Sequence, residues 1–190
     1  MFTTAKEELQ DLSRQFEAAM EQKRQLVQDL SSTQLLWQPT DKKWSMAHCL
    51  DHLNIVGRGY LSAIVPAAAR GREKGQLSEA PSRHGLFGGW FVRSMEPPPK
   101  MRFKAPGNMQ PAPIEDPFST SEAFDQLQRD CLAQISNCEG LDLSRIIVVS
   151  PFARVLRLRL GAVMALVPAH QRRHLWQMEQ IRAAEGFPDH

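Results

Sequence analysis

His170 and His174 stand four residues apart in Pro168-Ala169-His170-Gln171-Arg172-Arg173-His174-Leu175-Trp176-Gln177. His52 lies far upstream in Trp44-Ser45-Met46-Ala47-His48-Cys49-Leu50-Asp51-His52-Leu53. On a helix, residues four apart share one face with Cβ atoms roughly 5–6 Å apart, close enough for two imidazoles to hold one metal ion. A third imidazole meeting them from a second helix would leave coordination positions open for water or substrate. The spacing by itself is a weak signal, because a histidine on an inward face is more often a hydrogen-bonded core residue. What raises it is position: the pair continues an apolar stripe, so each ring would be buried and in need of a polar partner.

His48 precedes His52 by one turn and shares its face, which makes it a candidate fourth ligand, supporting group or substrate contact. An exposed histidine at a helix start is equally ordinary. Cys49 approaches the same face, but a small buried thiol is its commoner fate. His84 and His190 are expected to be incidental. There is no Glu-x-x-His motif, which argues against a ferritin-like di-iron site. The slot between His170 and His174 holds Gln171, Arg172 and Arg173, so the general base of a His-Glu-x-x-His protease is missing. No phosphate-binding glycine loop or nucleophile elbow is present.

Four helices are expected to position these residues, over about 5–30, 45–70, 120–138 and 152–184. In the first, Leu9, Leu12, Phe16, Ala19, Val27 and Leu30 recur at mostly three- and four-residue steps, with Thr3 or Thr4 as cap. Ser45 caps the second, where Gly57 and Gly59 leave room for close approach of another backbone and Pro66 is expected to kink or end the helix. Phe124, Leu127, Cys131 and Ile135 mark the third, which Gly140 follows. The fourth carries Leu156, Leu160, Val163, Val167, His170, His174, Met178 and Ile181 on one inward face. The run Ile146-Ile147-Val148-Val149 before it allows one short strand, with nothing to supply a sheet. Between helices two and three, residues 71–118 hold 8 of the 13 prolines and 6 of the 11 glycines. Leu86-Phe87-Gly88-Gly89-Trp90-Phe91-Val92 is too apolar for a free linker, so this is an ordered, loop-rich crossover with room for one short helix. Crossovers of that length commonly form walls or lids. The fold class is all-α, a four-helix bundle with a long crossover.

At 190 residues the chain fits one domain that buries roughly 70% of its unfolded surface, with no staple required. Its 23 basic and 21 acidic residues nearly cancel to +2, which gives no case for nucleic acid. The local cluster Arg154, Arg157 and Arg159 reads as a solvated helix start. Cys49, Cys131 and Cys138 are odd in number, and Cys131 and Cys138 would lie about 10 Å apart along a helix, too far to bond. Reduced thiols, no signal-peptide pattern and no apolar run of membrane length lead to the expectation of a soluble, cytoplasmic protein.

The segments Leu36-Trp37-Gln38-Pro39, Lys43-Trp44-Ser45, Asp51-His52-Leu53 and His170-Gln171-Arg172-Arg173-His174-Leu175-Trp176-Gln177 together closely resemble the DinB-like superfamily of metal-binding four-helix bundles. The likeness covers nearly the full chain. It implies that His52, His170 and His174 occupy the three metal-ligand positions, with zinc, nickel or iron as the divalent ion. It also implies kinship with transferases and isomerases that use low-molecular-weight thiols. Pro168, just before the pair, would bend the last helix, and His48 could close the coordination shell.

Three functions compete. The first is a metal-dependent S-transferase, in which a small thiol held as thiolate at the three-histidine site attacks an electrophile. On composition alone, Phe87, Trp90, Phe91, Arg102 and Lys104 of the crossover would wall its substrate. The second is a metal-dependent hydrolase, ranked lower because no acidic general base stands out. The third is a non-catalytic, metal-stabilised binding or stress-response module, dimeric through an exposed helix face.

Overall fold

The computed structural model describes residues 2–100 and 105–189. It is mostly helical, and the first helix, α1 (Ala5–Val27), starts where Thr4 Oγ accepts the Glu7 amide at 3.2 Å. Leu9, Leu12, Phe16 and Ala19 form its buried stripe. The helix stops at Val27, three residues before the expected end, because Asp29 takes a left-handed φ of 65° and turns the chain out of the helix. A one-turn helix, α2 (Ser32–Leu36), opens on a reciprocal cap between Ser31 and Gln34 and drives Leu35 into the core.

The long α3 (Met46–Glu73) begins at Ser45 as the sequence indicates. It runs through Pro66, which neither ends nor shortens it. Pro66 deletes one helical hydrogen bond, but Ile64, Ala67 and Ala68 around it are buried, and that packing holds the helix together. Gly57 and Gly59 admit side chains rather than a backbone: a Cβ on Gly57 would lie 2.5 Å from Leu127, and one on Gly59 2.4 Å from Phe152.

Among its described residues the crossover carries one helix, α4 (Gly85–Met95), and a 3-10 turn at Gly107–Met109. It is anchored at its start by Glu8 on α1, whose carboxylate accepts the Ser82 amide at 2.6 Å and the Ser82 hydroxyl at 2.5 Å. Asp116 then caps α5 (Pro117–Asn137), with Pro117 in the first turn where its missing N–H is harmless. Phe124, Leu127, Cys131 and Ile135 are buried along it.

The expected helix at 152–184 begins only at Leu160. Residues before it form a hairpin, in which β1 (Ile147–Val149) pairs antiparallel with β2 (Arg157–Arg159), Val148 opposite Leu158. The sequence reading allowed the first strand and missed the second. Arg157-Leu158-Arg159 alternates exposed and buried, so Leu158, off the helical stripe, is the residue that reaches the core, while Leu156 is only half-buried. The arginines read as a helix start therefore belong to a strand and its turn. Then α6 (Leu160–Arg182) runs through Pro168 to carry both histidines.

Helix α3 packs on α5 and α6, α1 packs on the same two, and α4 lies against α6 and β2. Two apolar clusters result. One holds Val56, Tyr60, Leu127, Val163 and Val167; the other holds Met46, Leu50, Phe124, Leu175 and Met178. On α6 the changeover between them spans His170 and His174, and on α3 it falls between Leu53 and Val56, just past His52. No helix among the described residues is long and apolar enough to cross a membrane.

Candidate metal centre

The three imidazoles converge through one kind of atom. His170 Nε2 lies 3.2 Å from His52 Nε2 and 3.1 Å from His174 Nε2. One ligand atom from each residue falls within 4.8 Å of the other two, and the set contains no carboxylate or thiol. Helix spacing brings His170 and His174 together on α6, and the packing of α3 on α6 delivers His52 to them.

Outer contacts fix which nitrogen faces inward. His52 Nδ1 is 2.6 Å from the Met109 carbonyl oxygen, and His174 Nδ1 is 3.0 Å from Gln177 Oε1. A carbonyl can only accept, so each Nδ1 carries the proton and donates it, leaving a bare lone pair on Nε2. This is the arrangement by which supporting groups orient and strengthen histidine ligands. His52 and His174 retain only 3% and 7% of their exposure, whereas His170 is half-buried.

Burial dominates the electrostatics. It pushes the His52 pKa down, with the Met109 carbonyl and Asp51 opposing it. Burial, then the charges of His52 and Arg173, pushes His174 down to about 3. His170 is held well below its ordinary value by burial, then by His174, His52 and Arg173. All three rings are neutral at pH 7, the form in which imidazole binds metal.

The bare Nε2 lone pairs of His52 and His174 both face His170 Nε2, and with the His170 proton on Nδ1 the three lone pairs can share one cation. Metal–nitrogen bonds of 2.0–2.1 Å require N···N separations of about 2.8–3.4 Å for angles between 90° and tetrahedral. The two edges that meet at His170, 3.1 and 3.2 Å, lie in that range, and all three ligand atoms fall within 4.8 Å of one another. Three imidazoles are a donor set for zinc, nickel or iron rather than for magnesium or calcium. The residues fit a divalent transition ion.

Trp44 covers this group, its ring centroid 4.8 Å from that of His52 and 5.8 Å from that of His174, nearly parallel to the latter at 29°. His48 has a different job. Its Nδ1 accepts the Ser45 amide at 3.3 Å and lies 2.7 Å from Ser45 Oγ, while its own amide donates to that hydroxyl at 3.2 Å. It is the third residue of a reciprocal cap and stands outside the converging set. Cys49 is fully buried, with its thiol pKa pushed up by burial. Cys131 and Cys138 are buried and unpaired as well.

The residues between the ligands brace the helix. Arg172 donates to both Glu96 oxygens at 2.9 and 2.5 Å and to Gln15 at 2.7 Å, and Arg173 donates to the Ser94 carbonyl at 3.2 Å. Gln171 donates to Gln128 at 2.9 Å inside the core. Of the expected substrate wall, Phe91 stacks on both Trp90 and Phe87 and packs against the core, while Trp90 is tilted against Phe87 and turned outward. Arg102 and Lys104 lie outside the described residues, as does His190.

The sequence assigns no role to Met109, and Trp44 and Gln177 stand there only within the motifs of the family resemblance. Met109 acts through its main chain, which residue type does not reveal. Gln177 sits three residues after His174 and Trp44 one before the Ser45 cap, spacings that would have marked both as neighbours of the ligands.

A mostly helical protein whose interior gathers three neutral imidazoles belongs to the class of helical proteins with a candidate metal centre. A sequence model of the DinB superfamily matches residues 15–178, and the chain is a member of that superfamily. No curated protein and no solved structure matches it.

Proposed function

We propose that α1, α3, α5 and α6 form a single four-helix-bundle domain, and that His52, His170 and His174 bind one divalent zinc, nickel or iron ion. We propose further that the protein is a metal-dependent transferase acting on a low-molecular-weight thiol. The observation that carries this reading is the pair of outer hydrogen bonds, His52 to Met109 and His174 to Gln177, which leave the Nε2 atoms of those two rings unprotonated. When bound, the ion would supply Lewis acidity sufficient to hold a coordinated thiol as its thiolate. The chain's own contribution is orientation and exclusion. Met109 and Gln177 hold the rings, Trp44 shields one side, and His170 is the least buried of the three. Three neutral protein ligands with no converging carboxylate favour transfer over hydrolysis, which needs a base beside the attacking water.

The deep burial of His52 and His174 supports a second reading, a metal-stabilised binding or stress-response module without turnover. A homodimer is compatible with either reading, and the unpaired buried cysteines suit the reducing cytoplasm. The deciding experiment is a conjugation screen with glutathione and other small thiols against electrophilic acceptors, run with metal-loaded and chelator-treated protein. Metal-dependent conjugation supports the transferase. Full metal occupancy with no turnover for any thiol would move the account to the binding module.

A further inference from the structure

We propose that the outer face of α4 docks on an anionic lipid bilayer, lying in its interface without crossing it. Leu86 is 96% exposed, Phe87 53% and Trp90 45%, although all three lie on an ordered helix held against α6 and β2. The aromatic rings support each other, Phe87 to Trp90 at 5.8 Å and Trp90 to Phe91 at 6.5 Å, so the face is a rigid apolar ridge. At helical spacing Leu86, Trp90 and Arg93 form one stripe, and exposed Arg83 flanks the other end. A short apolar stripe of Leu, Phe and Trp between arginines is the pattern of helices that settle at the headgroup level.

Charge selects the occupant. No acidic residue occurs between Glu79 and Glu96, and Glu96 is engaged by Arg172. The adjoining hairpin and α6 contain no acid between Asp142 and Glu179, and their Arg159 donates to the Arg83 carbonyl at 2.9 Å. Glu8, which lies 3.7 Å from His84, is buried and already bound by Ser82. The ridge is therefore apolar at its centre and positive around it. A second copy docking through a two-fold axis would set this basic rim against itself. A nucleic acid would use the aromatics and the arginines but gain nothing from Leu86, the most exposed side chain of the three. Anionic headgroups with acyl chains beneath them match both parts.

The full-length protein is tested by co-sedimentation with vesicles of phosphatidylcholine alone or mixed with phosphatidylglycerol. Leu86→Glu and Arg93→Glu serve as variants, because both side chains are exposed and circular dichroism will verify their fold. The wild type is expected to pellet with the mixed vesicles only, to be released by high salt, and to lose about tenfold in partitioning with either variant. Absence of pelleting, or equal pelleting of the variants, overturns the proposal. So does a solution dimer that Leu86→Glu dissociates, or retention of a single-stranded oligonucleotide in place of vesicles.

Discussion

His52 Nδ1 lies 2.6 Å from the carbonyl oxygen of Met109, a residue 57 positions further along the chain at the far side of the crossover. One main-chain carbonyl therefore sets the tautomer of a ring on α3 and ties the crossover to the imidazole group. Gln177 does the same for His174 from within α6. The centre is built as much by these acceptors as by the rings.

Gln177→Leu removes the acceptor on His174 Nδ1 while keeping a side chain of similar length. The expected result is a metal affinity reduced about 10–100-fold, read by chelator competition, with Gln177→Glu restoring most of it. Unchanged affinity in the leucine variant would show that the ring is held by packing alone.

The metal-free protein should lose stability with acid in a defined window. Burial holds the folded-state pKa of His52, His170 and His174 below the ordinary 6.5, His174 at about 3. Between those limits the unfolded chain binds protons that the folded chain refuses, so stability rises with pH and falls as pH drops from about 6.5 toward 3. Each ring held neutral contributes a slope of up to about 1.4 kcal/mol per pH unit. Urea unfolding from pH 7 to 4 reads this directly, and His174→Gln should flatten the curve.

How much of this was legible in the sequence differs by residue. The α3 cap at Ser45, the stripe of α5 and the histidines of α6 were readable because side-chain type and helical period both report on them. The start of α6 was not: Leu156 and Leu160 fit a helical stripe, yet Leu158 between two arginines fits a strand, and only pairing with Val148 decides between them. Pro66 does not end the helix for a related reason, since tertiary burial of its neighbours outweighs one lost hydrogen bond. His48 illustrates the limit for sites. Its spacing from His52 suits a ligand, but the same spacing from Ser45 suits a cap, and the structure uses it for the cap.

Gly57→Ala should be costly despite its mid-helix position, where alanine is ordinarily favoured by about 1 kcal/mol. The added Cβ would lie 2.5 Å from Leu127, forcing α3 and α5 apart or Leu127 off its rotamer. A net destabilisation of about 1–3 kcal/mol is expected by thermal or urea unfolding, and combining the change with Leu127→Ala should cost less than the sum of the two single changes. A stabilised variant would show that the α3–α5 contact yields easily.

Glu8→Gln tests the tether at the start of the crossover. Burial raises the Glu8 pKa, but His84 and the two Ser82 donors outweigh it and hold the carboxyl below its usual range. Its stabilisation is therefore present above the unfolded carboxylate pKa and lost as pH falls through the lower folded value. At pH 7 the glutamine variant should lose about 1–3 kcal/mol, and amide exchange should quicken at Ser82 before it does in the helices.

The central claim is that His52, His170 and His174 hold a divalent transition ion, and elemental analysis of the purified protein tests it most directly. The account predicts close to one zinc, nickel or iron per chain, its loss in His170→Ala and in His52→Ala, and a melting temperature raised by the added ion only in the wild type. A native protein carrying no transition metal, with a melting temperature indifferent to added zinc, nickel or iron, would contradict it.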